Sequence, residues 1–476
     1  MSALDYFNDT HQMVRETVRK FVEREILPHV DDWEEAGEFP RELYHKAADA
    51  GILSINAPEE FGGTGEDVFM KIAACEELVR CSSGGLCASL GSLDIGLPPI
   101  WKWGSDAMKQ KVVPEVIGGQ KISALAITEP NGGSDVANLR TRAVRDGDHY
   151  VVNGAKTFIT SGVRADYYTV AVRTGDKGYG GISLLLVEKG TPGFSVGRKL
   201  KKMGWWASDT AELFFEDCRV PAENLIGPEN GGFYCIMSNF QMERLILAVT
   251  ANSTAQLALD EAMRYVKERE AFGRPLAGFQ VTRHKLAEMA TDVKASTEFT
   301  YRVAAKIAAG ENCVLDVSMA KNVATRCADR VTYDAVQLFG GSGYMRGTVV
   351  ERLYRDNRIL SIGGGTHEIM NEVIAKQPDP SVINLASKEY FKAVRVSDLK
   401  GPIITPVFKE VKFGVAKVLG MFAKRARGAM ARYIIKNRLE SPHQLKSFVE
   451  DGYAYRPELS DEKSWVFTRE QPPPAA

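Results

Sequence analysis

The sequence predicts an α+β protein in which an antiparallel β domain is set between two helical domains. Three observations predict it. Residues 1–121 and 233–379 carry apolar side chains at helical spacing. Residues 122–232 hold short runs rich in Val, Ile, Tyr and Phe, parted by Gly and Pro. Residues 380–476 differ from the rest in charge and form an extension, expected to be helical. A chain of 476 residues has room for these parts at about 100–200 residues per domain.

In the N-terminal domain, residues 11–30 place Met13, Val14, Val18, Phe21, Val22 and Ile26 near a period of 3.6. Phe39-Pro40 opens a second helix, and Phe61 to Gly65 is a loop. In the middle domain, strands are expected at 149–160, 166–173, 181–187 and 211–215. The C-terminal domain shows long helical periods at 240–269, 281–309, 319–339 and 366–375, the pattern of a four-helix bundle. A Pro-rich break at 377–380 separates the extension, and the last five residues, Pro-Pro-Pro-Ala-Ala, read as disordered.

Composition excludes several classes. Hydrophobic residues at 44% and charged residues at 25% rule out a largely disordered chain. No apolar run approaches the length of a membrane span. A net charge of −1 gives no case for nucleic-acid binding. Seven cysteines without C-x-x-C spacing fit free thiols in a reducing compartment. The scattered histidines predict no metal site. The first residues lack an apolar h-region and an Arg/Ser-rich character, so a bacterial cytoplasmic location is expected. No dinucleotide fingerprint, P-loop or G-x-S-x-G elbow is present.

Five motifs then carry a resemblance. Ile127-Thr128-Glu129-Pro130-Asn131-Gly132-Gly133-Ser134-Asp135 is similar to the signature that opens the β domain of acyl-CoA dehydrogenases. Lys156-Thr157-Phe158-Ile159-Thr160-Ser161-Gly162 resembles their second flavin-contacting strand. Arg269-Glu270-Ala271-Phe272-Gly273 matches R-x-x-F-G, and Gln337 to Tyr344 matches Q-x-x-G-G-x-G-Y. Arg355-Asp356 and Gly365-Thr366 follow in order, and the resemblance spans about residues 5–376.

The resemblance implies bound FAD, an acyl-CoA substrate, an electron-transfer flavoprotein as acceptor and a homodimer or homotetramer. It implies that Ile127, Thr128 and Thr160 contact the flavin edge. Phe158 stands where Trp is common and would cover the flavin face. Arg269, Phe272, Gln280, Gln337 and Gly341 would complete the neighbouring subunit's FAD site, with Arg269 on the pyrophosphate. Thr366 and Glu368 match flavin-contacting positions, Ser134 the acyl-CoA arm.

The reaction implied removes an α-proton while a β-hydride passes to flavin N5, which needs a carboxylate in a dry pocket. Most members carry this Glu just before the Gly-Thr pair, where this chain has Gly364. The isovaleryl-CoA and long-chain types carry it in an E-R-L helix instead, and this chain has Glu243-Arg244-Leu245. Glu243 is therefore the expected base, with Glu368 the other acidic candidate. Gly364 keeps a backbone N–H for the thioester carbonyl, and Arg244 orients the pocket or contacts CoA. Two alternatives remain at this level: an oxidase on the same fold, and a catalytically silent scaffold, motivated by Gly364.

Two further expectations concern neighbouring segments. From residue 380 on there are 17 basic and 10 acidic residues, a net of +7 against −8 for the preceding chain. Residues 408–439 read as one basic amphipathic helix, suited either to an anionic membrane surface or to packing on the enzyme body. The helix at 83–96 is expected to line the acyl pocket. Its Gly84, Gly85, Ala88 and Gly91 suit a deep pocket or close helix packing.

Overall fold

The structure, a computed structural model, describes residues 6–375, 381–396, 399, 401–412, 414–437, 439 and 442–470. The expected break at 377–380 and tail at 472–476 lie outside the described residues. The chain divides into two compact units, Met1–Ile374 and Ala375–Ala476.

The first unit begins with helices, among them α1 (Asp9–Phe21), α2 (Val68–Val79), α3 (Gly84–Leu90) and α4 (Asp106–Ile117). Asp67 caps α2 by accepting from the Phe69 and Met70 N–H groups, satisfying donors that a helix start leaves orphaned. The small residues of 83–96 serve close packing. A Cβ at Gly84 would stand 2.3 Å from Trp205 Nε1, and one at Gly85 3.0 Å from the Ser208 N. A cavity of about 20 Å³ beside Cys87, Trp205, Thr250 and Asp356 holds no more than one water.

Eight strands follow: β1 (Ser123–Ala126), β2 (Arg142–Asp146), β3 (His149–Thr160), β4 (Tyr167–Arg173), β5 (Ile182–Glu188), β6 (Phe194–Lys199), β7 (Thr210–Pro221) and β8 (Leu225–Ile226). Their order is β6-β7-β3-β2-β4-β5-β8, with β1 parallel to β4. β4 and β5 are buried almost end to end, as strands covered on both faces must be. β7 is longer than its apolar core 211–215 suggests. Its polar second half alternates one face to solvent, which hides it from a search for apolar runs. The β3–β7 register shifts between Lys156 and Ile159, and this bulge puts Phe158 at φ +58°.

The bundle has three long helices, α5 (Gly232–Glu268), α6 (Gln280–Ala308) and α7 (Val314–Phe339), and two short ones, α8 (Val349–Asn357) and α9 (His367–Ala375). Of the four long periods expected, three are the long helices and the fourth, 366–375, is the short α9, while α8 is an addition. Ala248, Ala251, Ala255, Ala258 and Ala262 make one buried stripe on α5, facing Ala324, Ala328 and Ala335 of α7. Small side chains here let the two helix axes approach.

The second unit corrects the helical expectation. Residues 408–439 are not one helix: Phe408 lies in a strand. The unit holds β9 (Val382–Ile383), β10 (Ile403–Lys412), β11 (Val415–Lys417), α10 (Gly420–Lys436), β12 (Ala454–Tyr455) and β13 (Ser464–Glu470). Its sheet runs β9-β10-β13-β12, with β11 on β10. Ala423, Ala426 and Met430 of α10 are buried in a core with Phe408, Phe448 and Phe467. The apolar stripe of α10 is thus used within its own unit. β10 alternates buried and half-buried residues, a period of two that the helical reading missed.

Replacing Gly84 by Ala forces its new Cβ into the Trp205 ring. We expect Gly84→Ala to destabilise the protein by about 1–3 kcal/mol, read as a lower thermal midpoint at unchanged pH.

Candidate active site

Glu243 lies on α5, one turn before Leu247. Its Oε2 is shielded from solvent and has no hydrogen-bond partner among the described residues. Burial raises its pKa to about 7, against the opposing pull of Arg244 and Lys321. Facing it is the turn Gly363-Gly364-Gly365, with Gly364 at φ +63° and Gly365 at φ +101°. These are left-handed conformations that glycine adopts without strain.

A Cβ built on Gly364 would stand 3.6 Å from Glu243 Oε1 and 2.5 Å from Leu247 Cδ1. The α5 carboxylate therefore reaches the spot where a side chain at 364 would begin, and Leu247 fills the rest. Arg244 Nε donates to the Gly364 carbonyl at 3.2 Å, and Lys321 Nζ to the Gly365 carbonyl at 2.6 Å. Among the described residues the Gly364 N–H has no partner. Arg244 is itself buried, which suits orienting the turn better than reaching an exposed ligand. Glu368, by contrast, is exposed, and the N–H groups and Thr366 hydroxyl at the start of α9 hold its pKa below the ordinary value.

A second group forms on the β domain. Lys156 and Glu129 make a buried ion pair at 2.8 Å. Lys156 also donates to the Ile127 carbonyl at 3.1 Å, and the Thr157 N–H to Thr128 at 2.9 Å. The 127–134 segment is thereby stitched to β3. The hydroxyls of Thr128 and Thr160 have no hydrogen-bond partner among the described residues, and Phe158 is 69% exposed at the bulge. A planar ring with polar edges fits this set: an uncovered aromatic face with free hydroxyls beside it. Ser134 is exposed beyond the Glu129–Gly132 turn.

The third group stands elsewhere. Tyr265 stacks on Phe339, with centroids 4.0 Å apart, and pins the C-terminal ends of α5 and α7 together. Arg269, Phe272, Gln280, Gln337 and Gly341 all lie at this end and are all exposed, Phe272 to 96%. At 1.5 Å per residue, Arg269 is about 39 Å along the helix from Glu243. One chain does not bring the two groups to one place.

The sequence reading missed Lys321, Asp356 and the Lys156–Glu129 pair as site-building residues. Lys321 had a signal, since it falls on the same helical stripe as Val317, Ala324 and Ala328.

Comparisons with known proteins bear on the fold that carries these groups. Family models match in chain order: Acyl-CoA dehydrogenase N-terminal domain over residues 8–120, middle domain over 124–218 and C-terminal domain over 230–378. A model described as peroxide stress protein YaaA matches residues 366–459. The long-chain specific acyl-CoA dehydrogenase, mitochondrial, of Sus scrofa is 43% identical over 377 residues, which is 78% of this chain and 87% of that protein. A crystal structure of a probable acyl CoA dehydrogenase from Mycobacterium abscessus is 55% identical with a TM-score of 0.77, covering 78% of this chain and 99% of that one. A glutaryl-CoA dehydrogenase from Mycobacterium smegmatis in complex with FADH2 is 28% identical with a TM-score of 0.74, covering 79% and 96%. The chain belongs to the acyl-CoA dehydrogenase family, a class of flavoprotein oxidoreductases.

The raised pKa of Glu243 has a stability consequence. Its folded form binds a proton more tightly than the unfolded chain, so its contribution is full below pH 4.5 and is lost as pH rises through about 7. We expect Glu243→Gln to be more stable than wild type at pH 8 by about 2–3 kcal/mol. The gap should close by pH 4.5 in denaturant titrations of both proteins.

Proposed function

We propose that this chain oxidises an acyl-CoA thioester to the trans-2-enoyl-CoA. The observation that carries this reading is the Glu243 carboxylate beside the Gly364 turn, its Oε2 unpartnered and shielded from solvent and its pKa near neutral. Glu243 takes the α-proton. A carboxylate at its ordinary pKa would be a weak base for so weak an acid, and desolvation narrows the mismatch. The free Gly364 N–H donates to the thioester carbonyl and stabilises the charge that develops there. Arg244 holds the turn that carries this N–H, and Ser134 contacts the acyl-CoA arm.

FAD, when bound, supplies the two-electron acceptor for the hydride leaving the β-carbon. Ile127, Thr128, Phe158, Thr160, Thr366 and Glu368 would hold its ring end. Support comes from the free hydroxyls and exposed Phe158, and from the FADH2 in the glutaryl-CoA dehydrogenase neighbour. Arg269, Phe272, Gln280, Gln337 and Gly341 would serve the FAD of a second subunit. The distance of this group from Glu243 supports that, as do large exposed aromatics in one place, Phe272 and Tyr344. A homodimer is then the least assembly that completes a site, and a homotetramer the expected one. Electrons pass to an electron-transfer flavoprotein, in a bacterial cytoplasm. A silent scaffold is disfavoured, because a buried unpaired carboxylate is costly where no chemistry uses it.

Anaerobic titration with butyryl- to palmitoyl-CoA and isovaleryl-CoA tests the reading. One thioester class should bleach the flavin, and Glu243→Gln should slow this by at least about a hundredfold. Bleaching that survives Glu243→Gln would move the base elsewhere. A wild type that binds no flavin and shows no bleaching would sink the enzyme reading.

Peripheral membrane contact through 408–439 now rests on the basic outer face of α10, with exposed Lys424, Arg432 and Lys436, since its apolar stripe is buried. Such contact should be weak and salt-sensitive. Flotation with anionic vesicles, lost in the triple Lys424→Glu, Arg432→Glu, Lys436→Glu variant, is the expected result. Equal flotation of both proteins would remove the membrane from the account.

A further inference from the structure

We propose that Lys321 is a positioning residue for the base: its buried ammonium clamps the glycine turn that faces Glu243 and puts a positive charge beside that carboxylate. The inference rests on Glu243 being the base.

Lys321 is fully buried on α7. A lysine among core residues is expensive and calls for a partner. Its Nζ donates to the Gly365 carbonyl at 2.6 Å. Its Cε lies 3.6 Å from the point where a Cβ at 364 would stand, the same point that Glu243 Oε1 approaches to 3.6 Å. Consecutive carbonyls of one left-handed turn are thus taken by two cations from two helices, Gly364 by Arg244 on α5 and Gly365 by Lys321 on α7. The enclosed anion is Glu243.

This arrangement does two things. It fixes the 364–365 and 365–366 peptide planes, next to the plane that carries the free Gly364 N–H. It also opposes the burial that would otherwise leave Glu243 protonated. Burial and Arg244 lower the Lys321 pKa to about 8, so it is still mostly protonated at pH 7. Arg244 and Lys321 are the charged groups that act on Glu243, from α5 and α7. Beyond Lys321, His367 of α9 pairs with Thr325 Oγ1 at 2.7 Å. Burial, Arg326 and Lys321 hold its pKa down, so it adds no charge near neutrality, while Asp329 and the exposed Glu368 pull weakly the other way. Lys321 is therefore, with Arg244, one of two positive charges at the base, and the one that comes from α7.

The test is the pH profile of kcat/KM for flavin reduction by the same acyl-CoA panel, on FAD-loaded wild type, Lys321→Gln, Lys321→Met and Lys321→Arg. Loss of the charge should move the acid limb up by about one pH unit, about a tenfold loss on that limb. Lys321→Arg should stay near wild type. Lys321→Gln keeps an uncharged donor for Gly365 and covers the case in which Lys321→Met fails to fold. A flavin-loaded Lys321→Gln whose acid limb superimposes on wild type overturns the inference, whatever its kcat. If Glu243→Gln still reduces flavin, the base assignment fails instead, which separates the two readings.

Discussion

Three parts of the first unit meet at one carboxylate, Asp356. It accepts from the Gly84 N–H at 2.9 Å, at the start of α3, and from the Trp205 N–H at 2.6 Å, in the loop before β7. Asp356 itself sits on α8 of the bundle. Burial and the neighbouring Glu34 push its pKa up, so its hold depends on both N–H donors being in place. Each bond to a charged acceptor contributes about 1.5–3 kcal/mol. More important is geometry. Arg355 lies 3.7 Å over the Trp206 ring, and a Cβ at Gly204 would meet the Arg355 carbonyl at 2.6 Å. The β domain can approach α8 this closely only at glycine. With α8 fixed, the chain that leaves it delivers the Gly363–Gly365 turn to α5.

In the proposed reading, with Glu243 as base, the active site follows from a substitution of scaffolds. A base beside position 364 can come from the turn or from α5. Here Leu247 occupies the space a side chain at 364 would need, and the carboxylate comes from one turn earlier on the same helix. A rigid helix of 37 residues positions a base better than a loop does. The cost is that the base is buried beside an arginine and a lysine, and the balance of burial against those two charges sets its pKa near 7.

The second unit has a core of its own. Residues 408–439 read as one basic amphipathic helix, suited to a membrane surface or to packing on the enzyme body, because eight apolar residues fall at helical spacing there. The structure divides that stretch into a strand pair and a helix, and Phe408 of the strand packs in one core with Ala423, Ala426 and Met430 of the helix, while Val415 and Val418 stay exposed. Periodicity over a long window averaged a period of two with a period of 3.6, and the average resembled a helix. What stays exposed is the basic face of α10 together with Val415, Val418, Leu419, Met421 and Ile435.

Much of the first unit is legible in its amino-acid sequence. The three long bundle helices and four of the eight strands follow from period, because local spacing decides which face of a helix or strand is apolar. The proposal of Glu243 as base rests on the resemblance of Glu243-Arg244-Leu245 to a family motif, with Gly364 at the commoner position. Tertiary structure alone decided the rest. The bulge that uncovers Phe158 arises from pairing with β7, and the tight fit of Gly84 from a ring 121 residues away. The carbonyl clamp by Arg244 and Lys321 joins helices far apart in sequence. Such contacts have no local period to announce them, since each depends on which distant backbone the fold brings within hydrogen-bond reach.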